Sequence, residues 1–198
     1  MKKTAILFIV FFFVTLISNA QINLKPLESG VGAETNTYYK DINNVLNGFE
    51  GTYEYNGPDF YFKIKLVKTT MKARSVYWLD MLEGTYQYVK NGIDANYLNI
   101  PFHNNNNNAR IMINRIRKID DGLQYFCPNC LTEKWIEGSI KDYVHNRLAI
   151  LYIAKRIVNG EEGLQLGFLF PLEGQNVNDP EPAPAHLPSG EFFVKKIN

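Results

Sequence analysis

The residue types from which metal and cofactor sites are built are scarce in this chain of 198 residues, which has two cysteines and three histidines. His103, His145 and His186 are isolated, without the His-Glu-x-x-His or His-x-His spacing of a metal site. Zinc needs about four ligands, and no second Cys or His pair accompanies the two cysteines. The sequence therefore predicts no metal and no cofactor.

A serine-nucleophile motif is also lacking. Ser139 follows Gly138, but no glycine stands two residues later, as a nucleophile elbow requires. Serine hydrolase chemistry therefore has no support in the sequence, and no catalytic residue is assigned.

The chain also has no large excess of positive or negative charge. The chain has 21 basic and 20 acidic residues, a formal net charge of +1, and no basic block. Nucleic acid and anionic membrane surfaces are bound by clustered lysine and arginine. We therefore expect neither to be a partner.

Long hydrophobic runs are absent except at the N-terminus. Lys2 and Lys3 precede an apolar run over 5–17, and a small-x-small site ends at Ala20. The run is shorter than the roughly twenty residues that a spanning helix needs. It predicts a cleaved signal peptide over 1–20, export to the periplasm or the medium, and no membrane span afterwards. No lipidation cysteine follows the predicted cleavage site.

What the chain does contain is a seven-residue motif that occurs twice, at 49–55 and 82–88. Both copies read Phe/Leu-Glu-Gly-Thr-Tyr-x-Tyr and lead to an Asn-Gly pair. Large residues fall on alternate positions, which is the period of a half-buried strand. The copies predict two equivalent strands of one sheet, and Gly51 and Gly84 predict a bend or a close approach of another backbone.

The rest of the chain is predicted to be one domain. Residues 21–40 form a polar, extended lead-in, and 41–198 form a single β domain with a proline-rich strap at 171–188. Apolar residues spaced i, i+3, i+4, i+7 after Asp41 predict a short helix that Asp41 caps and Gly48 ends. Alternating runs predict strands at 49–55, 60–66, 76–89, 93–100, 109–119, 123–127, 134–141, 147–155, 164–170 and 191–197.

About nine or ten short strands, joined by hairpin signals, favour an all-β fold. We predict a single antiparallel barrel of the calycin type, either closed or partly open. Closure removes the exposed edges that a flat sheet of this size would leave.

Cys127 and Cys130 stand three residues apart. A redox Cys-x-x-Cys motif belongs to a strand-helix junction in a βαβ unit, and this sequence has no such unit. In an exported chain the pair predicts a disulfide that pins a tight turn, with a stabilisation of about 2 kcal/mol.

Aromatic residues on the predicted strands could line a ligand cavity, since they offer apolar area with a polar tip. The same residues pack ordinary β cores, and that interpretation is favoured because they are common in strands. With one acid of the same strand face, the candidate ligand-binding residues are Tyr53, Tyr55, Trp78, Asp80, Tyr86 and Tyr88.

Acidic residues of the strands could also form the two-carboxylate site of a glycosidase, with a separation of about 5 to 9.5 Å. The strand period places Glu50, Glu54 and Glu83 on the polar face, where a solvated surface is expected. Asp80 lies on the face of Leu82 and other large residues. If that face points inward, Asp80 is buried and needs a partner.

Residues 38–46, the two copies of the repeat and Asn91-Gly92 together resemble a domain-of-unknown-function family of small exported proteins from Bacteroidota. The likeness covers 38–93. It implies an exported protein of the same fold and transfers no catalytic residue.

Gly51-x-Tyr53 is also similar to the Gly-x-Trp start of the first strand in lipocalin and fatty-acid-binding barrels. Tyr53 stands at the tryptophan position, and Lys195 and Lys196 stand where lipocalins commonly carry an arginine. This looser resemblance implies a barrel with an aromatic interior.

Three functions follow as hypotheses. The first is an exported, non-enzymatic barrel that binds a small apolar ligand or a partner protein. The second is a carboxylate-dependent glycan hydrolase that uses Asp80 or a strand glutamate. The third is a structural accessory of the cell envelope or surface.

Overall fold

The computed structural model describes residues 22–96, 98, 111–118, 127, 130, 133–142, 144, 147–170 and 186–197. Within these residues it contains eleven β-strands and two 3-10 helices, and no α-helix. The 3-10 helices are Leu27–Ser29 and Leu46–Phe49. The strands are β1 Asn23–Pro26, β2 Thr37–Lys40, β3 Gly51–Asn56, β4 Tyr61–Ala73, β5 Tyr77–Lys90, β6 Ile93–Asn96, β7 Ile111–Lys118, β8 Lys134–Asp142, β9 Arg147–Val158, β10 Glu161–Leu169 and β11 Gly190–Lys196.

Eight of the strands close into a barrel, which confirms the predicted fold class. Their order is β5-β4-β3-β11-β10-β9-β8-β7, and β7 pairs again with β5. All neighbours around this ring are antiparallel. The other three strands extend from β5. β2 pairs in parallel with the start of β5, and β1 pairs in parallel with β2. β6 pairs with the end of β5.

Gly84 lies where the barrel closes. It pairs with Leu66 of β4 on one side and with Ile111 of β7 on the other. A Cβ atom at this position would lie 2.7 Å from Leu66 Cδ2 and 2.9 Å from Ile111 Cβ. The close approach predicted for Gly84 is therefore present, and it involves two neighbouring strands at once.

Alternate residues of the barrel strands point inward and fill the interior. The Phe62 ring lies 6.0 Å from that of Tyr86, 5.8 Å from Phe168 and 5.5 Å from Phe192, between ring centroids. Aliphatic side chains complete one continuous core. Its fully buried strand residues include Ile64, Leu66, Leu82, Ile111, Ile113, Ile136, Ile140, Leu151, Ile153, Leu166 and Val194.

The segment before β3 covers one end of the barrel, the end that holds the β9–β10 turn. Leu27, Tyr39, Leu46 and Phe49 all belong to the barrel core and are almost fully buried. We call residues 22–50 the N-terminal cap. The predicted extended lead-in is thus the first part of this cap, and it contributes β1 and β2.

The predicted α-helix after Asp41 is wrong. The Asp41 carboxylate accepts hydrogen bonds from the backbone N–H of Val45 at 2.8 Å and of Leu46 at 2.9 Å, as a capping residue does. The chain then makes the 3-10 helix Leu46–Phe49 and enters β3. Ten residues between β2 and β3 must bury both Leu46 and Phe49, and one tight turn achieves this where a straight helix would not.

The predicted strand at 147–155 is present as β9. Its inward face is buried, whereas its outward face ranges from the exposed Leu148 to the buried Ala154. Leu148 is 55% exposed while Ala149 and Leu151 are fully buried. The predicted turn at Asn91-Gly92 is also present, and both residues have positive φ, 52° and 79°. The predicted strand at 123–127 lies outside the described residues, apart from Cys127.

Cys127 and Cys130 form the predicted disulfide, with Cα atoms 5.3 Å apart. They pack with Trp135, Tyr152 and Ala154 on the outside of the barrel.

The predicted signal peptide lies outside the described residues, as does most of the proline-rich strap. Near the end of the strap, the backbone N–H groups of His186 and Leu187 donate to the buried Asp142 carboxylate at 2.5 and 3.4 Å. No helix among the described residues is long and apolar enough to cross a membrane.

Candidate functional site

Two of the predicted ligand-binding tyrosines use their hydroxyls inside the protein. The Tyr53 hydroxyl lies 3.2 Å from the Phe49 carbonyl and 3.1 Å from the Glu50 carbonyl. The Tyr86 hydroxyl donates to the Lys141 carbonyl at 2.8 Å. Both rings are buried in the barrel core.

Tyr55 and Tyr88 belong to an aromatic cluster at the other end of the barrel, opposite the N-terminal cap. Phe60 lies between them, 4.6 Å from the Tyr55 ring and 5.5 Å from the Tyr88 ring. The Tyr88 hydroxyl is buried and has no hydrogen-bond partner in the part of the chain that the structure describes. Burial, with a smaller effect of the Asp142 charge, raises the pKa of Tyr88 to about 12.

Trp78 is half-buried near the start of β5, between β2 and β4. The six predicted residues are therefore spread over both ends of the barrel. Tyr53 is the one that lines the cleft described below. A binding role for all six stays a prediction.

Asp80 is buried, 1% exposed, and has the partners that its burial demands. Its Oδ1 accepts from the Tyr38 hydroxyl at 2.6 Å and from the Met71 N–H at 3.0 Å, and its Oδ2 accepts from the Asp41 N–H at 2.9 Å. Burial, together with the Asp80 carboxylate, raises the pKa of Tyr38 to about 12. Asp80 thus joins the N-terminal cap to β4 and β5.

The Asp41 carboxylate extends this network to Lys68, whose ammonium group bridges Asp41 and Asn47. Lys68 Nζ lies 2.9 Å from Asp41 Oδ2 and 2.6 Å from Asn47 Oδ1. Asp41 and Asp80 are both engaged by donors within the fold, so neither is presented as a catalytic acid.

The expectation of a solvated Glu83 is wrong. Glu83 is only 6% exposed, accepts from the Thr69 hydroxyl at 2.6 Å, and pairs with Lys72 at 3.1 Å. The register of β4 against β5 shifts between Thr69 and Lys72, and this irregularity brings both side chains against Glu83. Its outward position in β5 is therefore covered.

A cleft of about 300 Å³ lies at the capped end of the barrel, beside the β9–β10 turn. We call it the mouth cleft. Its lining comes from the end of the N-terminal cap and from strands β3, β9, β10 and β11: Gly48, Tyr53, Lys155, Arg156, Ile157, Glu162, Gly163, Leu164 and Lys196.

The strand register explains why these side chains meet. Lys155 and Ile157 continue the inward-facing alternation of β9 beyond the buried Ile153. In the paired strands, Lys155 lies opposite Leu164 and Ile157 lies opposite Glu162. At the barrel end these inward positions are no longer covered by a complete ring of neighbours, so they form an open rim.

Lys196 reaches the same rim from β11. On one side, Lys196 pairs with Tyr53 of β3. On the other side, Lys195 pairs with Gly163 of β10, so the next residue, Lys196, lies opposite Glu162. The rim therefore carries the charged side chains of Lys155, Lys196 and Glu162 above an apolar floor that includes the buried Leu164.

The position of Lys155 is set by the N-terminal cap. Its Nζ lies 5.2 Å from the centre of the Phe49 ring, a cation–π contact. A Cβ atom at Gly48 would lie 2.0 Å from the same Nζ. The absence of a side chain at Gly48 is thus what allows the lysine to lie there.

Tyr53 closes the inner side of the mouth cleft. Burial raises its pKa to about 12, with smaller contributions from the charges of Glu162 and Glu50. The phenol therefore stays neutral at physiological pH.

A larger cleft of about 680 Å³ lies on the other side of the N-terminal cap, against β7. Its charged residues are already paired: Lys25 with Glu34 at 2.6 Å, and Arg115 and Arg117 with Glu137 at 2.8 and 3.1 Å. By contrast, Lys155 and Lys196 form no ion pair among the described residues. The mouth cleft is therefore the better candidate site.

Sequence reasoning missed Lys155, Ile157, Glu162 and Lys196. The usable signal was the period of β9, in which Lys155 falls on the same face as the buried Leu151 and Ile153. A charged residue on an inward position near a strand end indicates a barrel rim.

Comparison with known proteins gives a family without an assigned activity. The chain belongs to a family of unknown function, DUF6705, whose model matches residues 1–174. This confirms the resemblance to a domain-of-unknown-function family. No curated protein and no solved structure matches the chain.

Proposed function

We propose that this protein is an exported, non-enzymatic binding module that holds a small ligand with an apolar body in the mouth cleft. The observation that carries the proposal is the cleft itself. Its volume of about 300 Å³ lies at the lower end of the range for small-molecule sites, and its floor is apolar.

The ligand is placed at the mouth because the barrel interior is already occupied. Phe62, Phe168 and Phe192 contact one another across it, and the surrounding aliphatic side chains are fully buried. A calycin-type ligand deep in the barrel would have to displace this core, whereas the mouth cleft is open to solvent at its rim.

Binding of 1-decanol to protein purified from the full chain tests the proposal, by isothermal titration calorimetry. Ile157, 59% exposed on the rim, is replaced by tryptophan to fill the cleft without disturbing the core. We expect Ile157→Trp to weaken decanol binding at least tenfold. Leu148→Trp is the matched control, since Leu148 is similarly exposed on the outward face of the same strand.

Two results would contradict the proposal: binding of neither decanol nor its carboxylate analogue decanoate to the unmodified protein, or equal losses of decanol binding in both variants. The intact mass of the purified protein tests export in the same preparation, because cleavage after Ala20 removes a defined segment.

The two other hypotheses are less well supported. The glycosidase hypothesis gains nothing from Asp80, Asp41 or Glu83, whose carboxylates are held in buried networks. The accessory hypothesis stays a prediction.

A further inference from the structure

We propose that the ligand of the mouth cleft carries an anionic headgroup, a carboxylate or a phosphate, which Lys155 and Lys196 bind. This inference rests on the proposed function and adds the chemical class of the ligand. Its physical basis is a pair of lysines on inward positions at the rim of the cleft, next to the apolar side chains of Leu164 and Ile157.

The first argument is the difference between these lysines and the neighbouring cations. Arg156 donates to Gln165 Oε1 at 2.7 Å, and Lys195 pairs with Glu161. Both of those side chains lie on outward positions of their strands. Lys155 and Lys196 lie on inward positions and have no ion-pair partner among the described residues. Each of the two ammonium groups has three N–H donors, which can bind an acceptor in the cleft.

The second argument is that Lys155 is held in place before any ligand binds. Phe49 supports its ammonium group from one side, and Gly48 leaves the space that it occupies. A preorganised donor loses less side-chain entropy on binding than a free surface lysine does. The apolar floor beneath it also lowers the local dielectric constant, which strengthens attraction to an anion.

Glu162 determines which of the two lysines contributes more to binding the anionic headgroup. Its register places it beside Lys196, so its carboxylate partly neutralises that lysine and repels an anion there. Lys155 faces Leu164 across the strand pair and has no acid opposite it. We therefore expect the headgroup to lie nearer to Lys155, with the apolar body over Leu164 and Ile157.

The experiment compares four probes on protein purified from the full chain: decanoate, 1-decanol, decyltrimethylammonium and acetate. Affinities are measured by calorimetry at low ionic strength. Decanoate is expected to bind about tenfold more tightly than decanol, whereas the cationic probe and acetate bind weakly. The advantage of decanoate shrinks when salt is added, because exposed charges are screened.

Variants then assign the effect to residues. Lys155→Met is expected to weaken decanoate binding about tenfold and to leave decanol binding unchanged, while Lys196→Met has a smaller effect. Lys195→Met is the matched control on the neighbouring outward position, and we expect it to bind decanoate as the unmodified protein does.

The outcomes separate this inference from the proposal on which it rests. If decanol binds as tightly as decanoate, or if decyltrimethylammonium binds best, the anionic headgroup is wrong and the apolar cleft stands. If decanoate and decanol both fail to bind, the proposed function falls as well. If acetate binds as tightly as decanoate, the lysines recognise a free anion and the apolar body has no role.

Discussion

Asp80 illustrates how a single acidic residue can have a structural role inside a β core. Three donors converge on its carboxylate, two of them backbone N–H groups. Those donors come from the N-terminal cap and from β4, two segments that Lys68 of β4 also joins through Asp41 and Asn47. The carboxylate therefore satisfies buried groups from two segments at once.

Replacement of Asp80 by alanine is expected to destabilise the protein by about 3 kcal/mol, because the Tyr38 hydroxyl and two buried N–H groups lose their acceptor. The free energy of unfolding in urea measures this. Asp94→Ala is the control, since among the described residues the exposed Asp94 side chain accepts hydrogen bonds only from the Gln87 amide; it should change stability by less than about 0.5 kcal/mol. Equal losses in the two variants would show that the buried network contributes nothing.

At the scale of single residues, the sequence predicted the burial of some acidic side chains correctly and that of others wrongly. The face that Asp80 shares with Leu82 predicted its burial and its need for a partner, which the structure confirms. The burial of Glu83 could not be predicted, because it depends on an irregularity in the neighbouring strand. Register shifts of this kind leave little trace in the sequence period.

At the scale of elements, the repeat was more informative than the helical pattern. The second copy of Phe/Leu-Glu-Gly-Thr-Tyr-x-Tyr lies wholly in β5, and the first lies in β3 from Gly51 onwards, after the 3-10 helix that ends at Phe49. Both strands pair with β4. The apolar spacing after Asp41 predicted a helix, yet the same residues are buried by a single 3-10 turn. Local spacing does not show that Leu46 and Phe49 must enter a barrel end, and that tertiary demand decided the conformation.

Gly84→Ala is expected to destabilise the barrel by about 1 to 3 kcal/mol through overpacking. The added methyl group would collide with Leu66 and Ile111, whose strands flank β5. Thermal or urea unfolding measures the loss.

A double-mutant cycle identifies the cause. Leu66→Ala removes the Cδ2 atom that the new methyl group meets, so it should cost less stability in the Gly84→Ala background than in the unmodified protein. Simple additivity of the two losses would be inconsistent with a steric origin.

At the scale of the whole molecule, the all-β barrel was predictable because hairpin signals recur along the chain. The Asn91-Gly92 turn and the alternation in the first half of β4 are local features, and the structure confirms both. Which strands close the ring was not predictable. The pairing of β11 with β3 and of β7 with β5 joins distant parts of the sequence.

The stability of the whole molecule should fall at alkaline pH. Tyr38, Tyr53 and Tyr88 have pKa values of about 12 in the folded protein, against about 10 in an unfolded chain. Below pH 10 the phenols are neutral in both states and their contribution is fully present. As pH rises from 10 towards 12, the unfolded state loses these protons first, so unfolding becomes more favourable.

Urea unfolding midpoints between pH 8 and pH 12 measure this decline. Tyr53→Phe removes one of the three groups, so its midpoint should depend less steeply on pH above 10, whatever its stability at pH 8. An unchanged slope in that variant would mean that Tyr53 ionises normally in the folded state.

Finally, the closure of the barrel rests on a short seam. Among the described residues, β5 and β7 pair only over Leu82–Gly84 and Ile111–Ile113, because β2 and β6 take up the remaining length of the same edge of β5. The other seven ladders of the ring can persist if this one separates. Among the described residues, the seam and the still shorter pairing of β3 with β11, at Tyr53–Glu54 and Lys195–Lys196, are therefore expected to open most readily. The amides on both sides of these two ladders should exchange with solvent before those of the longer ladders.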